Sequence, residues 1–258
     1  MYKRQVWGIM AAHGNPDLIN NGLTFCIDAL DKNSYIGSGT TWTDLAIPKN
    51  GTVTNGPVFS SDGYFTFDGT NDYVDFGDLG VGDAYHCGVW FYLESSVDSS
   101  TTFYGLFRYK NTDQAGVHFG STTSFATNET LTFLYCTDDS IGGDPYYRTY
   151  IRDNFAAGWH YVSLNWNSNK YDIYVNASSK TTYASTDSNA INNPLSGTAA
   201  GHVPLMTMDE FKLGYGSVTD GSHAEFDGRI ASVHMYNRSL TANEITHNFN
   251  SQRDRFGV

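Results

Sequence analysis

The chain has 258 residues, of which 40% are hydrophobic, 15% aromatic and only 16% charged, with a formal net charge of −12. That is apolar mass enough for the core of one large domain or two small ones, and the wrong composition for a disordered acidic segment or a coiled coil. The negative balance repels nucleic acid, whose binding needs Lys and Arg to displace counterions, and it disfavours an anionic membrane surface for the same reason.

The apolar run Val6–Ala12 is broken by Trp7-Gly8 and stops at His13. It is too short for a secretory leader, so none is expected. Membrane insertion is not expected either, because a spanning helix needs about 18 consecutive apolar residues and no such run occurs. Residues 1–20 read as an N-terminal arm, whose Tyr2, Val6, Trp7 and Ile9 are the candidates for docking on a neighbouring subunit. Residues 21–258 read as one domain with no linker and no internal repeat.

From there the chain is a succession of short β-branched and aromatic runs separated by Gly, Asn, Asp and Ser clusters. This pattern predicts strands over Gly22–Asp28, Tyr64–Phe67, Tyr73–Phe76, His86–Leu93, Phe103–Tyr109, Gly116–Phe119, Leu131–Cys136, Tyr146–Ile151, Trp159–Trp166, Tyr171–Val175, Phe211–Gly214 and Gly228–Tyr236. Alternation sets Phe65 and Phe67 on one face of their strand, and Ile173 and Val175 on one face of theirs. Asp68-Gly69 with Asn71-Asp72 reads as a turn, and Asp187–His202 as a long loop. One helix is expected, near the C-terminus. Thr241 and Glu244 have capping-box spacing, Ile245 and Phe249 share a face, Arg253 and Arg255 sit at the negative end of the dipole, and Gly257 ends it. Cys26, Cys87 and Cys136 lie in apolar or strand-like runs without C-x-x-C spacing. They read as small buried hydrophobes rather than as a disulfide framework or a zinc site. The expected fold class is all-β: a two-sheet antiparallel β-sandwich with one short C-terminal helix.

Taken in order, several phrases resemble the concanavalin A-like, laminin G-type jelly rolls related to the pentraxins. They are Gly22-Leu-Thr-Phe-Cys-Ile-Asp28, Gly39-Thr-Thr-Trp42-Thr-Asp-Leu45, Phe65-Thr-Phe-Asp68-Gly69-Thr-Asn71-Asp72-Tyr73-Val74, Gly88-Val-Trp90-Phe91, Gly158-Trp159-His160-Tyr161-Val162, Tyr171-Asp-Ile-Tyr174-Val175-Asn176, Phe211-Lys-Leu-Gly214, Phe226-Asp-Gly228-Arg-Ile230 and His234-Met-Tyr236-Asn237-Arg238. Trp90 and Trp159, large apolar bodies with one N–H each, suit the sandwich interior. The Gly39–Leu45 phrase, the Asp68–Val74 turn and the ending Asn-Phe-x-x-x-Arg-x-Arg-Phe-Gly also resemble jelly-roll proteins of tailed-phage virions. That likeness implies a virion protein, a head-decoration, fibre or tail subunit partnered by other virion subunits and touching a host-surface glycan.

Catalysis is not expected. Glucanases of this fold draw their paired carboxylates from one strand at alternate positions, and Glu94, Glu129, Glu210, Glu225 and Glu244 fall in no such spacing. There is no Gly-x-Ser-x-Gly elbow and no phosphate loop. Jelly rolls of this type often hold calcium at one rim. Asp113-Gln114 resembles one half of the pentraxin ligand set, but Tyr215, Gly216 and Ser217 stand where the acidic triplet belongs. Asp72 and Asp113 are the candidate metal ligands. Sugar binding needs exposed rings beside polar side chains, and Tyr109, Tyr146, Tyr147 and Tyr215 are the candidates, each next to a polar loop. Two readings follow: a non-enzymatic virion structural protein with a part in host attachment, or a lectin-like module recognising a surface glycan, with or without calcium.

Overall fold

The computed structural model describes residues 18–98, 104–109, 116–120, 130–136, 146–167, 170–186, 206–208, 210–216 and 225–258. In chain order its elements are β1 (Leu23–Asp28), β2 (Thr41–Thr43), β3 (Asn50–Thr54), β4 (Val58–Ser60), β5 (Tyr64–Asp68), β6 (Tyr73–Gly77), β7 (Asp83–Ala84), β8 (His86–Leu93), β9 (Tyr104–Arg108), β10 (Gly116–Phe119), β11 (Leu131–Cys136), β12 (Tyr146–Ile151), β13 (Gly158–Asn167), β14 (Lys170–Val175), β15 (Ser178–Ser179), β16 (Tyr183–Thr186), β17 (Met206–Thr207), β18 (Phe211–Leu213), β19 (Asp227–Tyr236) and α1 (Ala242–Phe256). Sheet 1 runs β15-β14-β13-β8-β19-β5-β4. One edge of β19 is shared: β5 pairs with its first half and β1 with its second. Sheet 2 runs β16-β12-β11-β10-β9-β18-β6-β3-β2, and β7 and β17 form a separate ribbon. The ladders are antiparallel, and the two large sheets form a β-sandwich jelly roll with one C-terminal helix.

The strands form where alternation lets one face go dry. In β5, Phe65 and Phe67 are buried while Tyr64 and Thr66 are half-exposed, and in β6 Val74 and Phe76 play the same part. The interior is unusually aromatic. Phe25, Phe76 and Phe211 meet within 5.2–5.8 Å of one another, and Trp42 lies 4.7 Å from Phe65. Such tilted and edge-on pairs suit the ring quadrupole. Cys26 and Cys87 are buried free thiols.

The centre of sheet 1 departs from alternation. Nearly every residue of β8 is buried, as is every residue from Tyr161 to Trp166 in β13 and from Ile230 to Tyr236 in β19. The reason is a second core on the outer face. There α1 lays Ile245, Phe249 and Phe256 over Trp90, Tyr161 and Tyr236. Trp90 stacks on Phe249 and Phe256 at 5.5 and 4.2 Å. Trp90 and Trp159 are therefore not interior to the sandwich, where their apolar bulk alone would put them. Both sit outside sheet 1, against the helix.

The helix is held at both ends. Thr241 Oγ1 accepts from Glu244 N, and Glu244 accepts from Thr241 N at 2.8 Å. Glu244 also binds Arg238, which holds its carboxyl down to about 2. Gly257 closes the last turn in the left-handed region, at φ 68°. In between, polar groups are buried in pairs. Asn248 Nδ2 donates to Tyr236 Oη at 2.9 Å and its Oδ1 accepts from Ile19 N, so the end of the expected arm already packs on the sandwich. Arg255 binds Asp28 at 2.7 Å, and Asn165 bonds both the amide and the carbonyl of Leu240.

A second tie joins the sheets. Asp44, just after β2, is buried, and its Oδ1 accepts from Cys26 N and Ala46 N, both at 2.8 Å, while Leu45 N donates to Cys26 O. The Gly39–Leu45 phrase thus clamps an edge of sheet 2 onto β1 of sheet 1. Burial raises the Asp44 carboxyl to about 6.

Beneath α1, His86 and His234 stack at 6.1 Å. His86 Nδ1 lies 3.1 Å from Asn165 Oδ1, and His234 Nε2 lies 2.9 Å from Tyr161 Oη. Burial depresses them to about 4 and about 3. The unfolded chain therefore takes up their protons first, and stability falls as pH drops below the unfolded value near 6.5, by about 2 kcal/mol for each histidine at pH 5. Asp44 acts in the opposite sense, because its raised carboxyl gains a proton in the folded state as pH falls through about 6. The histidines outweigh it. Thermal unfolding is expected to show a melting temperature that declines from pH 7 to pH 5, with a shallower decline in His234→Phe even if that variant melts lower at pH 7.

Gly88 is where this buried pair meets the backbone. A Cβ there would lie 2.4 Å from both His234 Nε2 and Tyr161 Oη. Gly88→Ala is expected to lower stability by about 3 kcal/mol, from overpacking and a lost buried hydrogen bond. Urea denaturation measures this, and a change under about 1 kcal/mol would contradict the account.

Candidate functional site

At 15 residues, α1 is about 22 Å long. Past its last turn one strip of the outer face of sheet 1 stays uncovered. Four strands cross it in register: Trp159 of β13 lies opposite Tyr92 of β8, Tyr92 opposite Arg229 of β19, and Arg229 opposite Thr66 of β5. Period 2 puts Tyr64 on the same face as Thr66. With Phe65, Phe67, Phe91 and Ile230 turned into the core, these residues must point out.

Of these, Tyr64, Trp159 and Arg229 line an open groove of about 780 Å³, within the range of small-molecule sites. Trp159 and Tyr64 line it, meeting edge to face at 5.7 Å, with Phe256 behind the indole at 4.5 Å. The turn between β4 and β5 brings exposed Ser61 and Asp62 to one side, and the end of α1 brings Asp254 to the other. Gly63 is required in that turn. Its φ is 84°, and a Cβ would collide with Leu30 and Arg255.

The two arginines of the groove are committed. The Arg229 guanidinium lies 4.3 Å over the Tyr92 ring and 5.1 Å over Tyr64, and its Nε donates to Glu94 at 2.9 Å. Arg255 donates through Nη1 to both oxygens of Asp28 and through Nη2 to Gly63 O. Asp62 and Asp254 are different. No ion pair is found for Asp62 among the described residues, and Asp254 makes only a 3.7 Å contact with Arg253 at an exposed position.

The residues singled out from sequence are not gathered here. Tyr215 lies beyond β18 at sheet 2, half-buried and edge-on to Tyr73 at 5.6 Å. Its ring carries Arg108 at 4.8 Å and Lys212 at 5.4 Å, both cations being bound in turn to Glu210 at 2.9 and 2.6 Å. Burial raises its phenol. Tyr109 is corrected: it is 1% exposed and packs 6.0 Å from Phe133 in the core, so its ring offers no surface to a sugar. Tyr146 and Tyr147 belong to β12, paired with Cys136 and Tyr135, but their side chains lie outside the described residues. So do Asp113 and the arm residues Tyr2, Val6, Trp7 and Ile9. Asp72 is also corrected. It is 4% exposed, and its Oδ2 accepts from Asp68 N at 3.2 Å, so the carboxylate braces the Asp68–Asp72 turn and is not presented to a cation. Among the described residues no three His, Cys, Asp or Glu side chains cluster as metal ligands. Tyr64, Arg229, Asp62 and Asp254 were missed. Strand parity was the available signal for the first two, since each precedes a core residue.

Fold and groove together define a jelly-roll sandwich with an aromatic site beside its helix. The chain belongs to the concanavalin A-like lectin/glucanases superfamily, whose Laminin_G_3 family model matches residues 68–246. No curated protein matches it in sequence. Among solved structures, Trypanosoma rangeli sialidase in complex with sialic acid is similar, with a TM-score of 0.57 and 14% identity over 97% of this chain and 36% of the sialidase. The ligand binding domain of botulinum neurotoxin serotype D, in complex with N-acetylneuraminic acid, has a TM-score of 0.58 and 12% identity over 91% of this chain and 52% of that one. These likenesses show a shared fold. The chain spans about a third of the sialidase's length and about half of the toxin chain's.

The ion pair and the ring contacts of Arg229 are separable. Glu94 and Arg229 are 41% and 29% exposed, so solvent weakens their attraction. Glu94→Gln is expected to cost under about 1 kcal/mol, whereas Arg229→Ala costs roughly 2 kcal/mol through the lost cation–π contacts and stem packing. Urea denaturation of the two single variants and the double variant separates these terms.

Proposed function

We propose that this chain is a non-enzymatic carbohydrate-binding domain whose site is the groove at Trp159 and Tyr64. One observation carries the reading: half-exposed aromatic rings and uncommitted carboxylates line one cavity of ligand size. A sugar has an apolar face and a rim of hydroxyls. The rings take the face, and Asp62, Asp254 and Ser61 take the hydroxyls. Glycan-bound neighbours of the same fold agree with this reading. Two of the glutamates are engaged elsewhere: Glu210 is clamped between Arg108 and Lys212, and Glu94 is bound to Arg229.

The setting we infer is a virion surface, where such a domain would serve host attachment among other virion subunits. Support for it is the likeness of the Gly39–Leu45, Asp68–Val74 and C-terminal phrases to tailed-phage proteins.

Glycan-array binding of the purified chain tests the site. Ser61→Trp, at an exposed turn position, fills the groove without touching the core and is expected to reduce binding at least tenfold. Binding is expected to survive a chelator, since the groove needs no cation. Binding that survives Ser61→Trp but vanishes with the chelator would move the site to the acidic loops, with Asp113 the first ligand to examine.

A further inference from the structure

We infer that the groove selects uncharged saccharides and rejects sialylated ones. The inference rests on the glycan-binding reading and names its ligand class.

The argument is a census of charge and of hydrogen-bonding capacity. A sugar carboxylate is recognised by an arginine whose paired N–H groups are free to form a fork. Neither arginine in this groove offers one. Arg229 is stacked over Tyr92, its Nε is bonded to Glu94 and its Nη1 lies 3.5 Å from Tyr64 Oη, so both its Nε edge and its end-on fork already have a partner. A sugar carboxylate would have to displace Glu94 to reach that edge. The Arg255 side chain is 9% exposed; Asp28 takes its Nη1 and Gly63 O its Nη2, and its Nε is buried without a partner.

With both cations neutralised by their own carboxylates, the charge left facing the cavity is that of Asp62 and of Asp254, whose one ion contact is the exposed 3.7 Å approach of Arg253. An incoming carboxylate meets two like charges lining the same groove, on a chain that already carries −12. The same two carboxylates are good acceptors for neutral hydroxyls, which lose nothing to repulsion. Aromatic rings at Trp159 and Tyr64 serve the apolar face of a neutral ring equally well. The arrangement therefore excludes by repulsion as much as it attracts, which is how a site discriminates between ligands sharing one scaffold.

The test uses the full chain and one set of glycans in three forms: uncapped, capped with terminal sialic acid, and capped with a neutral sugar of similar bulk. At low salt the sialylated form is expected to bind at least tenfold more weakly than the neutral-capped form. The gap narrows as sodium chloride is raised and in the Asp62→Asn/Asp254→Asn variant. Ser61→Trp weakens binding of both neutral forms at least tenfold. Sialylated glycan bound as tightly as the neutral-capped form, and blocked by Ser61→Trp, would overturn the selectivity while leaving the groove as a glycan site. A gap unmoved by salt and by the double variant would overturn the charge argument. Binding of no glycan in any form would overturn the glycan-binding reading, and the selectivity with it.

Discussion

Where α1 crosses sheet 1, the sheet has no solvent face. Phe91, Val89 and Cys87 turn inward to meet sheet 2, and Trp90 turns outward to meet Phe249 and Phe256. This double burial is the constraint on which the rest depends. It forces β8, β13 and β19 to be dry where the helix covers them, so their polar side chains there must find partners within the fold. It also decides where ligand can approach. The strip past the end of the helix keeps its outward residues in reach of solvent, and the groove lies there. The helix makes the site by stopping where it does, which returns attention to the capping box and to Gly257.

The polar groups under the helix show what such burial demands. Tyr161, His234, Asn165, Tyr236, Asn248, Ser232 and Gln252 are matched across the helix–sheet interface or across the sheet itself. Individually these bonds contribute little. As a set they fix the rotation and depth of α1, because a shift by one residue would leave several donors and acceptors dry and unpaired. Asp44 does the same between sheets, holding β1 to the loop after β2. The two devices differ in their response to acid, since a buried neutral histidine resists a proton that a buried carboxylate accepts.

Much of this was legible from the sequence where local rules have a direction. In β5 and β14 alternation is clean, and Phe65, Phe67, Ile173 and Val175 lie where the pattern puts them. The helix was legible because Thr241, Glu244 and Gly257 carry its ends in their chemistry. Alternation fails as a guide where both faces are buried. In β8 both faces are buried, and Trp159 stands just before the dry run of β13, so nothing in the residue order says which side is the sandwich interior; Trp90 and Trp159 lie on the outer one. Short strands such as Thr41–Thr43 and Val58–Ser60 carry too few residues to show a period at all. The site was less legible still. Tyr109 precedes polar residues yet lies in the core, and the groove joins Ser61, Trp159, Arg229 and Asp254 from four distant parts of the chain. Its shape depends on tertiary packing alone.

The pairing of β1 carries one more consequence. Thr24 bonds Met235, 211 positions later, and β1 has its ladder on β19. On the ribosome the first strand of the domain therefore waits for nearly the last, and sheet 1 cannot close until β19 has left the exit tunnel. A topology so rich in distant contacts folds slowly by its nature. During synthesis the apolar residues of β5 and β8 are made long before their cover exists. The chain meets that interval with short strands, frequent glycine turns and a strong excess of negative charge. These features keep a half-made sandwich from pairing with its neighbours.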